Sequence, residues 1–241
     1  MTRRPARFWL VTGAAIAGVA ATLALGAWQM SRAAQKLALL AAIEQRQALP
    51  PVSQQELLAG RDPAGLLHRM VVLRGNWVAD RTVFLDNRQM QGKVGFYVVT
   101  PLRLDDSDRA VLVERGWVQR NFLERDKLPA IPTPQGAVEL RGRLAPPPAK
   151  LYEFAGAAPG PIRQNLDLAQ FRAETGLPLL DFAVQQTGGS SDGLLRDWPE
   201  PASGVATNYG YAAQWWALSI LIAILYVWFQ FIAPRRKVPH A

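Results

Sequence analysis

Aromatic, cationic and amide side chains lie together at the end of the first apolar segment of the chain. Trp28, Arg32 and Lys36 are spaced four residues apart, so a helix places them on neighbouring turns. Cationic groups in this position meet anionic lipid head groups, and tryptophans form aromatic belts at membrane interfaces. Such a belt explains Trp28 well, but it explains the neighbouring amide of Gln29 less well.

A second group of this kind begins the last apolar segment. Asn208, Tyr211 and Trp215 stand at positions i, i+3 and i+7, on one face of a helix, and Gln214 lies at the depth of the earlier glutamine. We expect this face to converge with the first one and to form a binding site. The simpler interpretations are an aromatic belt for Trp215 and Trp216 and a helix cap for Asn208.

The sequence offers few residues for catalysis. His68 is the one histidine outside the tails and no nucleophile motif accompanies it, so a polar residue at the start of a strand is the favoured interpretation. A zinc site needs three or four nitrogen or sulfur ligands, but the chain has no cysteine and an apolar segment separates His240 from His68. We therefore predict a protein that is not an enzyme, with a membrane-anchored envelope enzyme as a distant alternative.

Two uncharged stretches, residues 8–31 and 201–234, must position these groups. A bilayer core of roughly 30 Å needs about 20 apolar residues in a helix, which predicts membrane spans at 9–28 and 211–232. Basic residues border both stretches on their outer side and predict cytoplasmic tails at 1–8 and 233–241. Residues 29–210 then form a domain outside the cytoplasm. The alternative is a signal peptide, whose cleavage after Gly26 removes the first span.

The formal net charge of +8 suggests nucleic-acid binding, but the distribution of the charge argues against it. The two tails hold 6 of the 27 basic residues, and the region between the stretches holds 21 basic residues and all 19 acidic ones. A nucleic-acid-binding protein concentrates basic charge in a folded patch. We predict no nucleic-acid partner and interpret the excess charge as a signal that orients the chain in a lipid bilayer.

Short β-type runs replace the helical pattern between the two stretches. They are rich in valine, leucine and aromatic residues, are separated by turn signals, and cover residues 70–77, 82–86, 96–102, 110–118, 137–144 and 179–185. Helices are predicted at 32–47, at 53–59 with Ser53 as cap, and at 167–175 with Asp167 as cap. We expect an α+β domain built on antiparallel strands, either barrel-like or an open sheet, between two transmembrane helices.

Six segments also carry a family resemblance: LGAWQMSRAAQK (25–36), FLDNR (84–88), GFYVVTPL (95–102), VLVERGWV (111–118), DGLLRDWP (192–199) and GYAAQWW (210–216). In this order they resemble the signature segments of the surfeit locus protein 1 family of oxidase assembly factors. Members of that family have two helices that flank an outward domain, which agrees with the topology predicted from charge and hydropathy.

The resemblance implies a chaperone for the biogenesis of haem-copper cytochrome c oxidase, respiratory complex IV, in the inner membrane. It implies that the protein binds haem a and assists its insertion into the catalytic subunit, with the haem a synthesis enzyme as a further partner. The haem is then expected between the two helix ends, at Trp28, Gln29, Arg32, Asn208, Tyr211, Gln214 and Trp215. The alternative is a scaffold that stabilises an oxidase intermediate without binding haem.

Asn208 departs from the pattern of the family. Its members commonly have a histidine a few residues before the Tyr-Ala-x-Gln-Trp segment, and Asn208 stands at that position. A carboxamide is a poor iron ligand compared with imidazole, so axial ligation by Asn208 is disfavoured. Tyr209 or Tyr211 could ligate the iron instead, although an interfacial tyrosine is the favoured interpretation of each. The other alternative is haem held without protein ligation, with its ring against Trp28 and Trp215 and its propionates against Arg32 or Lys36.

A ridge of small residues runs along the predicted first span. Ala14, Gly18, Thr22 and Gly26 recur every fourth residue. Small side chains in this arrangement let membrane helices approach closely. We predict that the ridge receives the second span, which carries bulky residues such as Ile222, with an oxidase subunit as the alternative partner.

Overall fold

A computed structural model of the protein describes residues 5–60, 63–121, 123–124, 127–151, 160–189, 192–199 and 204–234. The chain divides into two compact units, one formed by Met1–Ala41 with Glu200–Ala241 and one formed by Ala42–Pro199. Apart from Arg7, the basic residues of both predicted tails lie outside the described ranges. The side of the membrane on which the tails lie therefore stays a prediction.

The described chain begins with three helices, continues through seven strands with one helix before the last of them, and ends with a long helix. In chain order they are α1 (Ala6–Gln47), α2 (Gln54–Ala59), α3 (Pro63–Leu66), β1 (Met70–Trp77), a 3₁₀ turn (Ala79–Arg81), β2 (Val83–Met90), β3 (Lys93–Leu104), β4 (Ala110–Gln119), β5 (Ala137–Ala145), β6 (Ile162–Arg163), α4 (Leu168–Thr175), β7 (Leu179–Gln186) and α5 (Val205–Val227). A π-helical turn at Trp228–Ile232 extends α5.

In the first unit α1 and α5 run antiparallel. The Thr12 Oγ1 and Tyr226 hydroxyl oxygens are hydrogen-bonded at 2.9 Å near one end, and Lys36 contacts Asn208 near the other end. In each helix the most apolar window has only 6% of its residues buried, whereas a core helix of a soluble protein would bury most of them. Both helices are thus long and apolar enough to cross a bilayer, and the predicted limits of the spans stay predictions.

The ridge of small residues on α1 faces α5, as predicted. A β-carbon added to Gly18 would lie 3.5 Å from the side chain of Ile222, in ordinary contact. One added to Gly26 would lie 2.1 Å from the indole nitrogen of Trp216, so only glycine fits at this position. Thr22, between the two glycines, is buried. Trp216 therefore packs between the helices and is not only part of an aromatic belt.

The second unit is built on a seven-stranded sheet in the order β1-β5-β7-β4-β3-β2-β6. Consecutive strands β2, β3 and β4 form antiparallel hairpins, as the turn signals predict, and β5 pairs antiparallel with β1 and β7. The pairs β4–β7 and β2–β6 are parallel, so the sheet is mixed, although most of its strand pairs are antiparallel as expected. Parallel pairing needs a long crossover, and α4 lies in the connection that brings β7 beside β4.

The sheet is not a regular barrel. β1 also pairs with β3, but only over three residue pairs, from Gly75–Leu104 to Trp77–Leu102. Apolar side chains cover both faces of the sheet, and eight of the ten residues of β4 are buried. One face packs on Phe171 of α4, which begins at the predicted cap Asp167 and ends at Gly176 in the left-handed conformation.

Candidate functional site

Gln29, Lys36 and Asn208 form a hydrogen-bonded group between α1 and α5. The Lys36 ammonium donates to Asn208 Oδ1 at 2.8 Å, and Asn208 Nδ2 donates to Gln29 Oε1 at 2.7 Å. All three side chains are half-buried, where a charge-assisted hydrogen bond is stronger than in open water. Both ends of the Asn208 amide are therefore used to join the two helices.

Asn208 does not cap its helix. α5 begins at Val205, and Gly204 occupies the N-cap position with a φ of +82°. The helix-cap interpretation of Asn208 is therefore wrong, because the residue lies about one turn inside the helix. Its side chain joins α5 to α1 and does not accept from the free backbone amides at the start of α5.

Trp28 and Arg32 lie outside this group. Trp28 is 55% exposed, and the exposed Arg32 donates from NH1 to Gln35 Oε1 at 3.1 Å on its own helix. Successive residues of a helix are rotated by about 100°, so Trp28 cannot share the face of its neighbour Gln29. Residues spaced four apart in a helix are rotated by about 40° from one another, and of these three Lys36 is the one that hydrogen-bonds to α5 among the described contacts.

On α5 the predicted face is only partly turned towards α1. Tyr211 is 49% exposed, Gln214 is exposed and Trp215 is half-buried. Of the seven predicted site residues, the structure brings Gln29 and Asn208 into the hydrogen-bonded group and leaves out Trp28, Arg32, Tyr211, Gln214 and Trp215. The group gains Lys36, whose role as the partner of Asn208 no local sequence signal indicates.

These contacts do not fit axial coordination of haem iron by Asn208. Its amide oxygen already accepts from Lys36, and a carboxamide oxygen is a poor ligand for haem iron. Residues 5–41 and 204–234 contain no histidine or cysteine. Within the residues that the structure describes, no group of three or more His, Cys, Asp or Glu side chains is placed to hold a metal ion.

In the sheet domain, four of the six family segments meet around the end of β4. Trp117 is buried, its indole nitrogen donates to the carbonyl of Arg88 at 2.9 Å, and its backbone pairs with Leu195. A β-carbon added to Gly116 would lie 2.6 Å from the side chain of Leu194, and one added to Gly95 would lie 2.6 Å from the Trp117 ring. The chain therefore approaches closely at Gly116, and both glycines make room for neighbouring segments.

Arg115 occupies a β-bulge beside Gly116, because Val98 pairs with Gly116 and Val99 with Glu114. Its guanidinium is buried, stacks over the ring of Trp77 at 4.8 Å, and donates to the Pro132 carbonyl at 2.7 Å. These groups line a cavity of about 250 Å³.

Arg196 extends the same cluster. It donates from Nε to the carbonyl of Arg115 at 2.8 Å and from NH2 to Asp192 at 2.5 Å. Sequence reasoning missed this arrangement, although segments 111–118 and 192–199 contain three of its members. Charged groups this well paired are typical of a structural network.

Glu114 is a buried acid on the other side of β4. It is 3% exposed, and its Oε2 accepts from Gln185 Nε2 at 2.9 Å, while Gln185 Oε1 accepts from Arg143 at 2.6 Å. Burial raises the pKa of the Glu114 carboxyl to about 7, and the hydrogen bond from Gln185 and the charges of Arg88 and Arg143 oppose that rise. The carboxyl is enclosed by core side chains, so its position does not suit contact with a substrate.

The position of His68 fits the prediction of a polar residue at the start of a strand. It is half-buried directly before β1, and its backbone nitrogen donates to the Leu144 carbonyl at 2.7 Å. Burial lowers the pKa of its imidazole, and the charges of Arg143 and Arg46 lower it further. The imidazole is therefore neutral at pH 7.

Comparison with known proteins agrees with the resemblance of the six segments. The model of the SURF1 family matches residues 16–220. A SURF1-like protein of Drosophila melanogaster is 29% identical over 241 aligned residues, which include 90% of this chain and 75% of the fly protein. A SURF1-like protein of Rickettsia conorii is 26% identical over 213 residues, with 85% of each chain covered.

A third relative is the cytochrome oxidase assembly protein SHY1 of Saccharomyces cerevisiae. It is 29% identical over 102 residues, which include 42% of this chain and 26% of the yeast protein. The family match is much more extensive, because it runs from within α1, through the whole sheet, into α5. This chain therefore belongs to the SURF1 family.

Proposed function

We propose that this protein is an integral membrane assembly factor for haem-copper cytochrome c oxidase. The observation that carries the proposal is the family match over residues 16–220, which includes the sheet domain and parts of both apolar helices. The similarity to a yeast protein named as a cytochrome oxidase assembly protein gives the match its functional meaning. Both helices have the length and apolarity that anchoring in a membrane requires.

The protein acts by binding oxidase components. Several charged side chains of the sheet domain are paired with one another, as Arg196 is with Asp192, and the one histidine outside the tails, His68, is half-buried just before β1. This arrangement supports a rigid docking domain better than it supports turnover of a substrate. The oxidase catalytic subunit is the proposed partner.

The contacts of Asn208 favour the form of this function that does not depend on haem. Its amide is held between Lys36 and Gln29, so the two helices are joined at the place where the family resemblance puts haem a. A scaffold needs only that the helix pair and the sheet domain keep their shape while an oxidase intermediate is bound. Haem a binding at this boundary stays a separate proposal, which the absorption spectrum decides.

Deletion of the gene and complementation test the assembly function. We expect cells without the protein to lose most of their assembled oxidase, measured as oxidase activity and as the haem a absorption of membranes, and the wild-type gene to restore both. The same complementation with Asn208→Ala asks whether the helix-joining group is needed. Normal oxidase levels in the deletion strain would contradict the proposal.

Spectroscopy of the purified protein separates the scaffold from the haem-binding form. Protein from cells that make haem a is expected to show no Soret band above that of a matched membrane-protein control. Asn208→His removes the carboxamide and supplies an imidazole, so it is the variant most able to gain a haem spectrum. A Soret band in the wild type that Trp215→Ala and Arg32→Ala both weaken would instead support the haem-binding form.

A further inference from the structure

An apolar groove opens between α1 and α5 at the end of the helix pair that carries the first and last described residues. It has a volume of about 760 Å³. Its wall is apolar on both helices, with Phe8, Val11 and Ala14 on one side and Ile222, Leu225 and Phe229 on the other. The helix ends on either side of it are held by the Thr12–Tyr226 hydrogen bond and by the edge-to-face contact of Phe8 with Phe231.

The groove lies where α5 changes its geometry. Residues Trp228–Ile232 form a π-helical turn, which is wider than an α-helical turn and is frequent at functional sites. Gln230, inside this turn, lines the groove, and its amide nitrogen is buried without a hydrogen-bond partner among the described residues. A buried donor of this kind costs free energy unless a partner, such as a ligand oxygen, accepts from it.

In the sequence, basic residues flank this end of both helices. Arg7 lines the groove, and the sequence places Arg3 and Arg4 just before it and Arg235, Arg236 and Lys237 just after the second helix. Residues 1–31 and 201–241 contain no aspartate or glutamate, so no acidic residue of these segments offsets the charge. The complementary ligand is an anion with a long apolar part.

We propose that the groove binds one anionic phospholipid. An acyl chain lies along the apolar wall, Arg7 binds the head-group phosphate, and the Gln230 amide donates to an oxygen of the head group or of an ester. Basic pockets between membrane helices on the cytoplasmic side are a known mode of anionic lipid binding. The inference rests on the membrane insertion that the proposed function includes, and it adds a ligand that the family assignment does not supply.

Native mass spectrometry of the full-length protein in detergent tests the proposal, with phosphatidylglycerol and the zwitterionic phosphatidylcholine as probes. We expect one phosphatidylglycerol to be retained per chain in preference to phosphatidylcholine. Because a basic residue near a lipid surface contributes about fivefold in affinity, Arg7→Gln should reduce the preference by about that factor, and Arg7→Lys should keep most of it. Gln230→Leu should weaken both lipids alike.

A pair of matched substitutions tests the location of the lipid. Ala14→Phe fills the groove and should abolish retention of phosphatidylglycerol, whereas Ala17→Phe adds the same ring to an exposed position of α1 outside the groove and should not. Equal retention of both lipids by the wild type, or equal effects of the two substitutions, would overturn the proposal. If Ala14→Phe does not fold, Arg7→Gln with Arg7→Lys decides.

The outcomes also distinguish this inference from the proposed function. A chain that needs detergent for extraction from membranes and retains no phospholipid contradicts the lipid site alone. A chain recovered in the soluble fraction contradicts membrane insertion, on which both proposals depend.

Discussion

Replacing Glu114 with glutamine is expected to stabilise the sheet domain at alkaline pH and to change its stability little at acidic pH. Glutamine has nearly the shape of glutamate, and its amide oxygen can still accept from Gln185, which now donates to Glu114 at 2.9 Å. Burial raises the pKa of the Glu114 carboxyl from an ordinary 4.5 to about 7. The folded protein therefore holds a neutral acid at a pH where the unfolded chain has already ionised it.

The sign and size of the effect follow from this pKa difference. Below pH 4.5 the carboxyl is protonated in both states, and the stability that depends on its neutral form is fully present. That stability is lost as the pH rises from about 4.5 to about 7, because in this range the unfolded chain ionises while the folded state keeps the buried carboxyl protonated, and the loss is complete above the folded pKa. The difference between 4.5 and about 7 corresponds to about 3 kcal/mol, since one pKa unit is worth about 1.4 kcal/mol. Glutamine does not ionise, so the variant escapes this loss.

Urea unfolding of the full-length protein in detergent, followed by tryptophan fluorescence at pH 5 and pH 8, measures the difference. We expect the advantage of Glu114→Gln over the wild type in unfolding free energy to be roughly 2 to 3 kcal/mol larger at pH 8 than at pH 5, where part of the loss has already occurred. Glu139→Gln is the matched control, because Glu139 is a half-exposed partner of Arg74 and should change stability by less than about 1 kcal/mol at either pH. If Glu114→Gln destabilises the domain equally at both pH values, the carboxyl is ionised when buried, and the reasoning fails.

Three further predictions concern the helix pair, the core and the topology. Gly26→Ala should lower the yield of folded protein, because its new β-carbon would lie 2.1 Å from the Trp216 indole. Gly18→Ala should be tolerated, because its β-carbon would lie 3.5 Å from Ile222, and equal yields of the two variants would contradict close packing at Gly26. Trp117→Phe should cost about 1–3 kcal/mol in urea unfolding, because it leaves a buried carbonyl without its donor, and no change would argue against that bond. A reporter active only outside the cytoplasm should work when fused near Gly189 and stay silent after Ala241, and the reverse result would refute cytoplasmic tails.

Local signals predicted the individual elements well. The run from Met70 to Trp77 is a strand with those bounds, and the glycines at 60 and 176 end their helices in the left-handed conformation. These features depend on residues within one or two turns of each other, so a short stretch of sequence contains the information that specifies them. The two apolar helices follow for the same reason, because length and composition alone identify them.

The candidate site was predicted less well, and α1 shows why. The spacing of Trp28, Arg32 and Lys36 predicted one functional face, but the face that meets α5 is set by how closely the helices pack at Gly26. That contact turns Gln29 and Lys36 towards Asn208 and leaves Trp28 exposed. The periodicity of a helix gives the angles between its side chains, but it does not show which of them face a neighbouring helix.

The sequence by itself determined where most helices and strands lie, which segments are apolar enough for a membrane, and to which family the chain is similar, although β2 runs on to Met90 and β3 begins at Lys93, beyond the predicted bounds. Only the tertiary structure decided that β7 joins β4 in parallel, that Glu114 is buried in the core, and that Asn208 is held by Lys36 and Gln29. The physical reason is the range of the interactions. Capping and periodicity act between neighbours in the chain, whereas strand pairing, burial of a charge and helix rotation depend on partners that are far apart in sequence and are fixed by packing of the whole unit.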